Sequence, residues 1–344
     1  MATKVQEATF NPGASQEIDQ ETILTADPTL SGKQFPTIQW VNGRKEFGDM
    51  APDSLNYNGG FLFVVKTNST KKYDQLTDEE LAARKAIADA LTGFDKSPWK
   101  ATKYTFHDGT VAEGVWARQM GVTACLRRRA WSAVNDADEH KYFPWDDYKG
   151  AKAYSAVGKN PSSKTQVLVQ VKNAESVASL MLTFSGTSGK NFDDILVQFQ
   201  NSILTAANAK AKEWAEAQKP PVQPAKFAPR SFYIAIGADR NEDGSPKFTP
   251  VGSGKDSSTI TPPVALFMPE KAADVTSELL AQLQVPAEIL KQGSAIVADN
   301  LDWAKAWDSF DYSGSPAKPD AEPQESVEEQ ISGSGAAKLE SLGI

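Results

Sequence analysis

The 344-residue chain has one cysteine, Cys125, and two histidines, His107 and His140. One cysteine excludes an intrachain disulfide and a cysteine-rich zinc site. Two histidines are a poor basis for a multi-histidine metal centre. No apolar run approaches the ~18 residues that span a bilayer. The opening MATKVQEATFNPGASQE lacks the basic-then-apolar order of a secretory signal. A cytoplasmic protein without a membrane role is therefore expected. The sequence contains no GxxxxGK[ST], HExxH or GxSxG motif. Basic charge is scarce overall, with 36 Lys and Arg against 44 Asp and Glu.

That deficit is unevenly placed. Residues 311–344 carry seven acidic side chains and two lysines, a net of −5 out of the total −8, which leaves −3 for the other 310 residues. A nearly neutral body can present a basic face, so local distribution decides what it attracts. Composition and patterning point to an α+β, β-rich chain. Residues 1–33 are expected to form a flexible N-terminal arm, 34–310 a domain built on a curved sheet with peripheral helices, and 311–344 a disordered acidic tail.

Strands are expected at Phe35–Val41, Phe61–Lys66, through Trp99–Trp131, and at Tyr154–Val157, Thr165–Val171, Val177–Phe184 and Phe232–Ile236, with Phe248–Val251 and Val264–Phe267 completing the sheet. His107-Asp108-Gly109 supplies a turn inside the Trp99–Trp131 stretch. A helix is expected over Thr77–Leu91, where Thr77 and Glu80 have capping-box spacing. A long helix over Asn191–Gln218 carries Phe192, Ile195, Leu196, Phe199 and Ile203 as its apolar stripe, with Asn191 as cap. Two shorter helices, Val275–Leu283 and Pro286–Trp307, follow, the second with a break near Gly293. Asp136–Gly150, acidic and aromatic, reads as a loop.

Four partial motifs have simpler readings. Gly186-Thr-Ser-Gly-Lys190 lies between a strand and a helix, as a phosphate loop does, but Asn191 stands where Ser or Thr is needed. Asp239, Asn241, Asp243 and Gly244 begin like a calcium loop, yet Pro250 occupies the place of the bidentate glutamate, so a hairpin turn is expected. Asp146, Asp147 and His140 read as a solvated loop, not a metal cluster. Cys125 shares an expected face with Arg127 but has no histidine partner, which favours a structural thiol.

Side chains alternate faces along a strand. That rule places Arg127, Arg129 and Trp131 together, and Trp116 beside Arg118. Lys100 belongs to a third row, with Tyr104 and Phe106, and Trp40 lies in the first strand. Guanidinium groups meet phosphates and indoles stack on bases, so such faces suit a single strand of nucleic acid. The other reading makes the tryptophans core residues and pairs the arginines with acids.

FPTIQWVNG at Phe35–Gly43, the Gly59-Gly60-Phe61 entry, RRRAW at Arg127–Trp131, and KTQVLVQV followed by LTFSGTSGKNFDDIL together resemble phage- and plasmid-encoded single-stranded DNA-binding proteins built on an OB-type barrel. The resemblance covers residues 35–270 and rests on the order of elements. It implies an OB-like antiparallel barrel and a cofactor-free, non-enzymatic protein of phage DNA replication or recombination. Single-stranded DNA would be its ligand, and the acidic tail would recruit replication or recombination proteins, although this tail ends in LGI and not in an acidic-hydrophobic tip. The site residues it points to are Trp116, Arg118, Arg127, Arg129 and Trp131, with Trp40 and Lys100. The rival readings are a virion structural or scaffolding protein, and a metal-dependent nuclease using Asp146 and Asp147.

Overall fold

The computed structural model describes residues 10–12, 35–48, 53–70, 75–174, 177, 180–251 and 258–305, the side chains of 258 and 301–305 excepted. In chain order, β1 (Thr37–Val41) leads to a one-turn helix α1 (Leu55–Asn58), β2 (Gly60–Thr67) and α2 (Asp78–Thr92). Three strands follow, β3 (Lys100–Thr105), β4 (Val111–Ala117) and β5 (Gln119–Val134), then β6 (His140–Pro144) and α3 (Tyr148–Tyr154). After β7 (Ser162–Val171) and β8 (Leu180–Ser185) come α4 (Thr187–Phe199) and α5 (Thr205–Ala217), joined by a π-helical turn at Gln200–Leu204. The last elements are β9 (Ile234–Ala238), β10 (Thr249–Val251), β11 (Ser258–Ile260), β12 (Pro263–Ala265), α6 (Ser277–Leu283) and α7 (Ala287–Lys305).

The main sheet runs β12-β9-β5-β7-β8-β1-β2-β4-β3, with β6 added on β5. It is mixed, not purely antiparallel, because β1 and β8 pair in parallel. It is also curled, and its connectivity requires that. Arg118 alone links β4 to β5, yet four strands lie between them in the sheet order. In a flat sheet that separation is about 24 Å, whereas two Cα steps reach about 7 Å. The result is a half-barrel.

One face is sealed by helices. Ile38, Trp40, Phe61, Phe63, Val115, Val167, Val169, Leu182 and Phe184 pack with Phe192, Ile195, Phe199 and Ile203 of the long helix and with Ala88 and Leu91 of α2. Opposed residues in paired strands share a face, so the pairings define a row on the second face. It runs Lys100–Trp116–Leu62–Gln39–Thr183–Gln166–Arg128 across seven strands.

The expected capping box at Thr77 and Glu80 is present, with both reciprocal hydrogen bonds. The turn after Phe106 is present as well, with Gly109 at φ +84°. Several expectations are corrected. Asp136–Gly150 is not a loop throughout, since His140–Pro144 pairs with the far end of β5 and Asp147 Oδ1 accepts from Gly150 N to cap α3. Tyr154–Val157 is not a strand, as α3 runs through Tyr154. The long helix begins at Thr187, so Asn191 lies inside it and Gly186 precedes it. Thr249–Val251 pairs with Ser258–Ile260 in a separate two-stranded sheet, while Pro263–Ala265 does join β9. Helix α7 is not broken at Gly293, where a Cβ would come 2.8 Å from Gln170 Oε1. Glycine there allows helix and sheet to approach. In the arm, Phe10 packs on Phe227 and Phe232, and Asn11 exchanges hydrogen bonds with Gln284. The rest of the expected arm and the acidic tail lie outside the described residues.

Candidate nucleic-acid interface

The seven expected site residues divide between the two faces. Trp40 is 6% exposed on the helix-covered face, edge-on to Phe61 at 4.9 Å. Arg127, Arg129 and Trp131 lie on that same face, opposite Val167, Thr165 and Ser163. Arg127 is 9% exposed, and its Nε and Nη2 donate to Asp193 Oδ1 at 3.0 and 2.8 Å. Trp131 stacks on Trp145 at 4.5 Å and donates from Nε1 to the Trp145 carbonyl. Arg129 lies 3.9 Å over the Trp145 ring. These contacts fasten β5 to α4 and to the β6–α3 link, and use the ring faces that bases would need.

Lys100, Trp116 and Arg118 belong to the second face. Trp116 is 7% exposed and packs with Val41, Leu55, Leu62 and Tyr104. It is a support, not a stacking platform. Lys100 beside it is exposed. Arg118 lies 5.8 Å over the Trp116 ring and reaches Asp53 Oδ1 at 3.1 Å.

Asp53 stands at the start of a short hub. Ser54 caps α1 by accepting from Tyr57 N. Arg44 Nη2 donates to Asn56 Oδ1 at 3.3 Å and to the Thr105 carbonyl at 2.6 Å. Arg240 Nη2 donates to Asn58 Oδ1 at 3.3 Å, and its Nη1 to the Gly244 carbonyl. Three guanidinium groups from distant stretches thus converge on residues 53–58. Arg44 Nε is buried with no hydrogen-bond partner. Burial, and after it the positive charge of Arg118, lowers the pKa of Arg240. Tyr57 and Phe248 lie ring to ring at 5.8 Å in the same neighbourhood. Burial raises the Tyr104 phenol, against the pull of Arg44.

Arg44, Tyr57, Arg240 and Phe248 are not legible as site residues in the sequence. Arg44 and Tyr57 fall between the expected strands Phe35–Val41 and Phe61–Lys66, Arg240 and Phe248 lie in or beside the expected hairpin turn, and no local pattern relates position 44 to 240. The Ser54 cap is the one local signal, and it marks a helix, not a site.

The other candidates also resolve. Asp239 pairs with Lys247 at 3.0 Å, and Asn241 N donates to Ser245 O, so the calcium-like stretch is a closed turn. Asp147 is engaged as a helix cap. Among the described residues no three His, Cys, Asp or Glu side chains are grouped to hold a metal. No helix among them is long and apolar enough to cross a membrane.

Cys125 occupies a β-bulge between Ala124 and Leu126, and its sulfur lies 3.7 Å from Thr123 Oγ1. The bulge turns it away from Arg127. Burial pushes its pKa up to about 11, so roughly one thousandth is thiolate at pH 8. Alkylation of the folded chain at pH 8 should be slow and should accelerate as the pH approaches 11. Rapid labelling at pH 8 without unfolding would contradict this placement.

No protein-family model, no curated protein and no solved structure matches this chain.

Proposed function

We propose that the chain binds single-stranded DNA, without chemistry, through the arginine hub around α1. The carrying observation is the convergence of Arg44, Arg118 and Arg240 on Asp53–Asn58. Arg118 and Arg240 are close enough for the charge of one to lower the pKa of the other, and a phosphate between these two offsets that repulsion. Lys100 extends the cationic surface along the row, and Tyr57 and Phe248 supply rings on which a base can lie. The OB-like likeness belongs to this proposal too, as a curled sheet that offers one face to a strand. So does the role in phage replication or recombination.

The test is fluorescence anisotropy of a labelled oligo-dT at several salt concentrations. The double variant Arg118→Ala/Arg240→Ala should bind roughly a hundredfold more weakly, at ~1.5 kcal/mol per charged contact. Its log–log salt slope should be smaller by about 1.4, since each single-strand phosphate contact contributes ~0.7. Arg129→Ala, on the opposite face, should change neither quantity. An intact chain that ignores oligo-dT, or an unchanged slope in the double variant, refutes the reading.

A further inference from the structure

A cavity of about 540 Å³ opens where the β3–β4 hairpin meets β1, β2 and α2. Its size falls in the ~300–1,000 Å³ range of small-molecule sites. Its lining includes a ring, an amide and two cations, together with His107 and the carboxylate of Asp108, whose Oδ1 accepts from Thr110 N at 3.0 Å. Phe106 presents a ring, held by an edge contact with Tyr104 at 5.0 Å. Gln39 presents an amide, with donor and acceptor at one end. Arg84 supplies a guanidinium, placed by a hydrogen bond from Nη1 to the Val64 carbonyl at 3.3 Å. Lys66 adds a second cation, paired with Glu113 at 2.8 Å.

A separate observation lies beside that lining, in the cross-strand row that passes through Gln39. Gln39 is the pairing neighbour of Thr183, and Thr183 that of Gln166. Thr183 is 8% exposed and Gln166 0%. Thr183 Oγ1 is buried with no hydrogen-bond partner, whereas the Gln166 side chain is engaged by Arg128 Nε, which donates to its Oε1 at 2.7 Å, and by Tyr142. Unpaired buried polar atoms are rare and call for an explanation. Here Thr183 stands next to Gln39, one strand away from the cavity lining.

We propose that this cavity binds a nucleoside monophosphate, with the base against Phe106 and its edge at Gln39, and the phosphate at Arg84. The ring and the edge-reading amide match the base of such a ligand, and the cation matches its phosphate. The choice of a nucleotide among ring-bearing anions rests on the single-strand reading above, and the cavity would then hold the terminal nucleotide of a strand.

The test uses the full chain, titrated calorimetrically with dTMP and with thymidine. dTMP should bind, and thymidine about tenfold more weakly. Arg84→Gln should remove that preference, and Phe106→Ala should weaken both ligands. A chain that does not bind dTMP, or an Arg84→Gln variant that keeps the full phosphate preference, overturns the proposal. A circular single-stranded DNA, which has no end, reports on the arginine hub separately. Circle binding without dTMP binding defeats the cavity alone, and dTMP binding without circle binding defeats the strand reading alone.

Discussion

Replacing Phe192 by alanine should lower the unfolding free energy by about 4 kcal/mol. The ring is fully buried and stacks on Phe184 at 4.5 Å. Phe184 in turn lies 6.1 Å from Trp40. These three residues come from α4, β8 and β1, so the stack joins the long helix to the parallel strand pair at the middle of the sheet. Truncation would leave a hole that the flanking strands cannot close, because each is fixed on both edges by pairing. Phe→Ala core changes cost about 3–5 kcal/mol for that reason. The urea midpoint should fall with little change in slope. Val197→Ala, on an exposed position of the same helix, should cost less than about 0.5 kcal/mol. A Phe192→Ala loss as small as that would mean that the helix does not dock through this ring.

Much of this architecture is legible along the chain, because local rules suffice for it. The β-branched run Thr165–Val171 is a strand, the Thr77–Glu80 spacing starts a helix, and the Phe192–Ile203 stripe faces a core. Strand β6 was hidden for a physical reason. His140–Pro144 is a strand because the 16-residue β5 outruns β9, which pairs only with Gln119–Val122, and offers a free edge beyond it, opposite β7. The site was hidden for a related reason. Alternation holds within one strand, and Arg127, Arg129 and Trp131 do share a face. It does not carry across the link at Arg118, where β4 and β5 belong to distant parts of the sheet. Pairing puts Arg128, not Arg127 or Arg129, on the face of Trp116. The bulge at Cys125 adds a second change of phase. Surface arginines brought together by α1 leave no periodic trace, since their partners are Asn and Asp side chains and backbone carbonyls spread from residue 53 to 244.

Gly43→Ala should affect both the fold and the proposed interface. Gly43 N donates to Thr261 Oγ1 at 2.7 Å, which pins it on one side. On the other, a Cβ would run into the Tyr57 carbonyl oxygen and stand 2.9 Å from Asn58 C and Gly59 N. All three are backbone atoms, so no side-chain rotation relieves the clash, and α1 must move. Overpacking of this kind costs about 1–3 kcal/mol. Arg44 lies next in sequence and holds Asn56, while Arg240 holds Asn58, so a displaced α1 would separate the guanidinium groups. Oligo-dT affinity should therefore fall together with stability, whereas Arg118→Ala/Arg240→Ala should lose affinity with a change in stability below about 1 kcal/mol. The two variants separate the geometry of the hub from its charge. Urea unfolding and anisotropy on the same preparations would show it. If Gly43→Ala were destabilised yet bound oligo-dT with the wild-type salt slope, the position of α1 would not matter to binding, and the hub would lose its role as organiser of the three arginines.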